Sequence, residues 1–329
     1  MFADVKGLHD LRPGRSTPQA ARAGTLHPGP SPADASRVNK SLRATVAAYV
    51  ALTKPRIIEL LLLTTLPTMI VAKQGLPSVW LMLAVLVGGT LAAGGANALN
   101  MVYDRDIDAV MHRTRRRPLV TGAISPRQAL LFAIGLEVAA FAELWVTANL
   151  LSAVLALAAT AFYVGVYTMV LKRSSPQNIV IGGAAGAVPV LVGWAAVTGS
   201  LGLAPLVLFL MIFVWTPPHF WALAVRYRDD YAAAEVPMLP AVASLETVGR
   251  QIVAYTVVLV ALSLVLVPLA HLGWLYVGIA VLLGGLFLVR GIDLARHPEA
   301  KRAMGLFHLS ITYLSVLFVA MGADVLLRH

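Results

Sequence analysis

The chain is a succession of long apolar runs, each about 18–25 residues, separated by short polar connections. At 1.5 Å per helical residue, one such run spans a hydrocarbon core of ~30 Å. In lipid every backbone polar group needs a partner within the structure, which leaves helices or closed barrels. A barrel would show ~10-residue stretches of alternating pattern instead of these runs. The composition agrees, since 58% of residues are hydrophobic and 13% charged, against roughly 25% charged in a soluble domain. The expected fold class is an all-α, polytopic membrane protein.

The net charge of +10 does not imply a nucleic-acid partner, because of where the charge lies. Of the 26 Lys and Arg residues, all but Lys73 and Arg328 fall in the N-terminal region or in alternate loops. That is the positive-inside pattern, which predicts a cytoplasmic N-terminus; the membrane expected is the cell inner membrane. Nine spans are expected, starting near Ile57, Val79, Gln128, Leu150, Ser175, Pro205, Gly249, Trp274 and Met304. An odd number puts the C-terminus on the opposite side. Residues 1–45 are rich in Pro, Ala, Ser and Arg and read as a disordered cytoplasmic tail, with an organelle-targeting presequence as the alternative. Residues 46–329 then form the transmembrane domain. No cysteine is present, so neither disulfides nor thiolate catalysis enter.

Chemistry is concentrated in the stretch NALNMVYDRDIDAVMHRTRRRP, residues 97–118. At ~100° per residue, Asn97, Asn100, Asp104 and Asp108 share one helical face, and Asp106 points away. Oxygen ligands at this spacing suit a hard divalent cation, and Mg²⁺ typically takes one or two carboxylates with substrate phosphate oxygens completing the shell. Arg113, Arg115, Arg116 and Arg117 follow at once, and Arg113 and Arg117 are spaced to hold phosphate oxygens in bidentate fashion. The bland reading is a positive-inside loop with acids for balance, but the alignment of four oxygen-bearing residues disfavours it. A magnesium diphosphate needs both halves of this stretch. Ionisation of an allylic diphosphate follows: metal and guanidinium charge stabilise the leaving group, and the apolar bundle shelters the carbocation from water.

A second polar face closes the sixth span. His219, Arg226 and Asp230 are separated by seven and four residues, which places them on one face of a continuous helix. Lys54 and Arg56 open the first span. Glu59, Glu137 and Glu143 lie within or near apolar runs, where snorkelling or bundle packing is the ordinary reading. The runs of small residues, among them Gly88, Gly89, Gly94 and Gly95, suit close helix packing.

With nine spans, N-x-x-x-D-x-x-x-D at Asn100, Asp104 and Asp108, and a second polar face after the sixth span, the chain resembles the UbiA-type intramembrane prenyltransferases. The runs Tyr103–Asp108, Arg113–Leu119, Pro217–Trp221, Asp230–Tyr231 and Val236–Pro240 are similar to the heme-farnesylating branch of that family, over roughly residues 50–325. The resemblance implies a bundle with a central cavity open to the cytoplasmic side. It implies transfer of the farnesyl group of farnesyl diphosphate to a vinyl group of heme b, with water added, giving heme O and diphosphate. It further implies Asn100, Asp104, Asp108 and Asp230 as catalytic and Mg²⁺-binding residues. Lys54, Arg113, Arg117, Arg226 and Arg228 would bind diphosphate, and His219, Asn97 and Tyr231 would bind heme. His219 has two readings, toward heme iron or a propionate, or a hydrogen bond at a proline-broken helix. A downstream heme A synthase is an implied partner. One departure stands out: four residues after Asp230 the family's usual second acid is replaced by Ala234, with Glu235 next, and Arg226 and Arg228 stand in for metal charge.

Two rivals remain. A related enzyme acting on a quinone-precursor ring is disfavoured by His219 and the Val236–Pro240 segment. A transporter of an anionic isoprenoid or porphyrin predicts broken helices near mid-membrane in matching repeats, whereas these faces lie at helix ends.

Overall fold

A computed structural model describes residues 32–328, and every regular element among them is helical. The long helices are α1 (Pro32–Thr53), α2 (Pro55–Lys73), α3 (Val79–Tyr103), α5 (Pro126–Thr147), α6 (Leu150–Ser174), α7 (Asn178–Thr198), α8 (Leu203–Arg226), α11 (Leu245–Leu269), α12 (Trp274–Arg296) and α13 (Ala300–Leu326). Short helices α4 (Arg105–Val110), α9 (Arg228–Ala233) and α10 (Leu239–Val242) lie between them. Among the described residues eight helices, α3, α5 to α8 and α11 to α13, are long and apolar enough to cross a membrane. A ninth span forms where the bent pair α1 and α2 counts as one. Helix α1 begins at Pro32, so residues 32–45 of the segment expected to be disordered are helical; residues 1–31 lie outside the described residues.

Local chemistry sets the helix starts. The side chain of Ser78 accepts from Leu81 N at 3.2 Å and Asn149 from Ser152 N at 2.9 Å, satisfying amides that α3 and α6 cannot bond internally. Ser125 and Gln128 form a reciprocal capping box with Pro126 in the first turn of α5. At the start of α11 the Ser244 side chain accepts from Thr247 N at 3.2 Å. Each lies at or near a boundary read from hydropathy.

The bundle closes by successive packing of α3 on α5, α5 on α6, α6 on α7, α7 on α8, α8 on α11, α11 on α12 and α12 on α13, with α2 against α3, α7 and α13. One large apolar core joins α8, α11, α12 and α13 around Phe287, Tyr313 and Phe318. A second joins α3, α5, α6 and α7 around Leu144 and Val85. Between α3 and α5 the backbones approach closely. A Cβ on Gly95 would stand 2.5 Å from Glu137 Oε1, and one on Gly88 would overlap the Glu143 carboxylate. The two glutamates of α5 are thus packing groups, consistent with their ordinary reading: Glu137 accepts from Thr160 Oγ1 at 3.1 Å and Glu143 from Thr147 Oγ1 at 3.1 Å. Glu59 is exposed.

Candidate active site

The polar row of residues 97–108 is built across a helix junction without losing its register. Helix α3 ends at Tyr103, yet Asp104 N bonds Asn100 O at 2.9 Å and Asp108 N bonds Asp104 O at 2.8 Å, so the i to i−4 pattern runs on into α4. Asn97, Asn100, Asp104 and Asp108 are all buried, with Asp104 at 0% exposure, while the side chain of Asp106 is 62% exposed. The expected division of faces is realised.

Cations stand on three of the row's oxygens. Lys54 Nζ donates to Asn100 Oδ1 at 2.8 Å, and Arg117 Nη1 to Asp108 Oδ2 at 2.6 Å. Lys172 Nζ donates to Asp104 Oδ2, which also accepts from Asn100 Nδ2 at 2.7 Å. The second Asp104 oxygen, Oδ1, is buried with no hydrogen-bond partner among the described residues; the Arg173 guanidinium lies 3.9 Å away. Asn100 Nδ2 further donates to Thr168 Oγ1 at 3.1 Å. Thr168 sits in a π-helical stretch of α6, residues Phe162–Leu171, where its hydroxyl donates to Tyr163 O at 2.9 Å, five residues back. That widened turn faces Thr168 toward Asn100, and Lys172 follows one turn later.

Lys54 reaches the site through a backbone kink. It joins α1 to α2 with φ 53 and ψ 60, a left-handed conformation uncommon for a side-chain-bearing residue, and it precedes Pro55. Asn97 Nδ2 donates to Thr53 O at 3.0 Å, tying α3 to the end of α1. Its observed work is therefore at this junction.

The second face departs from expectation. Helix α8 ends at Arg226, Tyr227 is non-helical, and α9 starts afresh at Arg228, so Asp230 does not continue the face of His219 and Arg226. Arg226 and Arg228 are exposed. Among the described residues no three His or acidic side chains gather as a metal cage, so Asp230 does not cluster with Asp104 and Asp108. Before that break, α8 is continuous through Pro217 and Pro218 rather than broken by them, and Thr216 Oγ1 donates to Ile212 O at 2.8 Å in the turn where the prolines bring no amide. His219 is buried, bonded through Nδ1 to Ser310 Oγ of α13 at 2.8 Å, and stacked between Trp215 and Phe307.

The two polar segments meet through apolar contact. Ile107, Met111, Ile179, Ala224, Tyr231, Val236 and Met238 form one buried cluster, and the Arg113 guanidinium lies 5.4 Å from the Tyr227 ring centroid. Burial raises the Tyr231 hydroxyl above its ordinary range, opposed by Arg113. Outside the row, Arg173 grips Asp106 with two bonds of 2.7 Å and holds its carboxyl down at about 2. A groove of about 500 Å³ lies on this outward side, lined by Leu99, Val102, Tyr103, Asp106 and Arg173. Sequence reasoning missed Thr168, Lys172 and Ser310. Lys172 and Arg173 resemble any other loop cations in sequence, and nothing local distinguishes Thr168 or Ser310.

The donor set fits Mg²⁺ in one respect: it offers only oxygens, with one buried carboxylate oxygen left without a hydrogen bond among the described residues. A helical bundle with such a row beneath clustered cations is the architecture of an intramembrane prenyltransferase. The UbiA prenyltransferase family matches residues 61–317, and the chain belongs to that family. A relative from Streptomyces avermitilis, named protoheme IX farnesyltransferase, is 54% identical over 299 residues, covering 89% of this chain and 98% of the relative. One from Parafrankia sp., of the same name, is 51% identical over 313 residues, covering 94% and 100%. In fold, the chain is similar to a digeranylgeranylglyceryl phosphate synthase structure at TM-score 0.71 and 17% identity, covering 85% of this chain and 98% of that one. It is also similar to a UbiA homolog from Archaeoglobus fulgidus, a structure bound to DMAPP and Mg²⁺, at TM-score 0.60 and 18% identity, covering 85% and 99%.

Proposed function

We propose that the protein transfers the farnesyl group of farnesyl diphosphate to a vinyl group of heme b, with addition of water, giving heme O and diphosphate. The observation that carries the diphosphate half is the buried row Asn100, Asp104 and Asp108 with Lys54, Arg117 and Lys172 against its oxygens. The heme half is supported by relatives more than half identical that bear the name protoheme IX farnesyltransferase.

In this reading Asn100, Asp104 and Asp108 hold Mg²⁺, whose charge lowers the cost of the departing diphosphate. Arg113 and Arg117, with Lys54 and Lys172, are positioned to compensate the same developing charge. The C1–O bond of farnesyl diphosphate breaks and diphosphate departs with the electron pair. The terminal vinyl carbon of heme b supplies the electrons for the new bond to C1, leaving a cation beside the porphyrin ring. Water captures that cation and loses a proton, giving the hydroxyl. Arg226 and Arg228, exposed at the end of α8 and the start of α9, would add positive charge toward the diphosphate, and Asp230 follows them on α9. The charge asymmetry of the loops supports an inner-membrane orientation with this end and the N-terminus cytoplasmic.

The test is purified full-length protein with heme b, farnesyl diphosphate and Mg²⁺. The expected product is a heme heavier by one farnesyl group and one hydroxyl group in mass spectrometry. Turnover of a phenolic acid without turnover of heme would overturn the acceptor assignment.

A further inference from the structure

Ser310 of α13 holds two aromatic side chains one turn apart on α8. Its carbonyl accepts from Trp215 Nε1 at 2.9 Å, and its hydroxyl is bonded to His219 Nδ1 at 2.8 Å. The same hydroxyl donates to Phe307 O at 2.6 Å. A serine hydroxyl has one hydrogen, and here that hydrogen is directed to Phe307 O; toward His219 the oxygen can only accept. Nδ1 is therefore the N–H of the ring. His219 has no carboxylate partner among the described residues, and in the neutral imidazole the other nitrogen then carries the lone pair.

Three aromatic rings frame the imidazole, with Phe220 edge-on at 5.2 Å. Trp215 stacks on the ring with centroids 4.3 Å apart and planes 18° apart, and Phe307 stacks at 4.7 Å and 27°. Both faces are covered and Nδ1 is engaged, while Nε2 has no hydrogen-bond partner among the described residues. An imidazole nitrogen meets a metal along its in-plane lone pair, so stacking on the faces fixes the ring without blocking that approach. Fixing a histidine tautomer through its other nitrogen is the usual way in which an outer residue prepares a metal ligand.

We propose that Ser310 is a positioning residue: it locks His219 as the Nδ1–H tautomer, so that Nε2 meets the iron of the heme substrate. This rests on the heme-farnesylating reading above. The ligand contact comes from His219, and Ser310 acts only through it. The clamp also gives α13 a direct role in acceptor binding, although it lies far in sequence from both polar segments.

The experiment titrates ferric heme b into full-length wild type, Ser310→Ala, Ser310→Thr and His219→Ala in detergent, with absorption spectra and farnesylation kinetics. Wild type should show a nitrogen-ligated heme spectrum. Ser310→Ala should shift that spectrum toward that of His219→Ala and raise the heme KM by about 10–100-fold, with the farnesyl diphosphate KM unchanged. Ser310→Thr keeps the hydroxyl and should restore both readouts, which separates tautomer control from loss of folding. A wild-type spectrum and heme KM in Ser310→Ala would overturn the proposal while heme farnesylation continued. Absence of heme farnesylation by wild type, with turnover of another acceptor, would instead overturn the functional reading on which it rests.

Discussion

Asn100 and Asp104 are joined by a bond of 2.7 Å from Nδ2 to Oδ2, and the other Asp104 oxygen is left buried without a hydrogen bond among the described residues. A carboxylate hydrogen-bonded through one oxygen, with the Arg173 guanidinium at 3.9 Å from the other, keeps a lone pair for a cation. Asp104→Ala should lower farnesylation by about 10²-fold or more, with the variant still eluting as a single folded species in detergent. Full activity in that variant would remove the metal assignment.

Much of this site was readable in the sequence because a helix repeats. The spacing of Asn97, Asn100, Asp104 and Asp108 survives the junction between α3 and α4, since the hydrogen bonds continue across it. The same rule failed for His219, Arg226 and Asp230, where the chain leaves helical geometry at Tyr227. Hydropathy located the spans, yet α1 begins well before the first of them because its polar first half carries no long apolar run. Partners contributed by distant segments were invisible. Thr168 and Lys172 meet the row only because α6 widens into a π-helix, and Ser310 meets His219 only once α13 has docked on α8.

Lys172 neutralises the buried carboxylate that is proposed to hold the metal ion, so each should substitute in part for the other. Removing one member of a buried pair costs about 3–5 kcal/mol. Lys172→Met should accordingly lower the melting temperature in metal-free buffer. Added Mg²⁺ with diphosphate should raise it more than it raises that of wild type, as read by thermal unfolding in detergent. Equal stabilisation of the two proteins would contradict a shared site.

Lys54 combines an unfavourable backbone with a useful side chain. A left-handed conformation costs a non-glycine residue about 1–2 kcal/mol, and here it delivers Nζ to Asn100. Lys54→Gly and Lys54→Ala both lose the ammonium and should both lose turnover. The glycine variant should be the more stable of the two by about 1 kcal/mol. If alanine were the more stable, strain at this junction would not be the reason for the difference.

Asp106 and Arg173 give a pH dependence with a defined sign. The folded carboxyl is held at about 2, below the ordinary 3.8, chiefly by the Arg173 bonds. Its stabilising effect is complete above pH 3.8 and declines as pH falls through about 2. Because the side chain is 62% exposed, the pair contributes no more than about 1 kcal/mol. Asp106→Asn should be slightly less stable than wild type at neutral pH, with the difference shrinking on acidification toward pH 2. A difference that widened on acidification would reverse this assignment.

Gly95 and Glu137 set how closely α3 and α5 approach, only two residues before Asn97. A Cβ at Gly95 would stand 2.5 Å from Glu137 Oε1 and 3.0 Å from its Cγ and Cδ. The glutamate cannot retreat freely, because Oε1 also accepts from Thr160 on α6. Gly95→Ala should therefore push α3 away and cost about 1–3 kcal/mol, with a fall in turnover because Asn97 and Asn100 move with the helix. Glu137→Ala creates the missing space, so the double variant should be less destabilised than the two single effects added together. Residues in contact couple by about 0.5–3 kcal/mol, and a double-mutant cycle on thermal or denaturant unfolding measures that term directly. Simple additivity would mean that the turnover loss in Gly95→Ala has a source other than this contact.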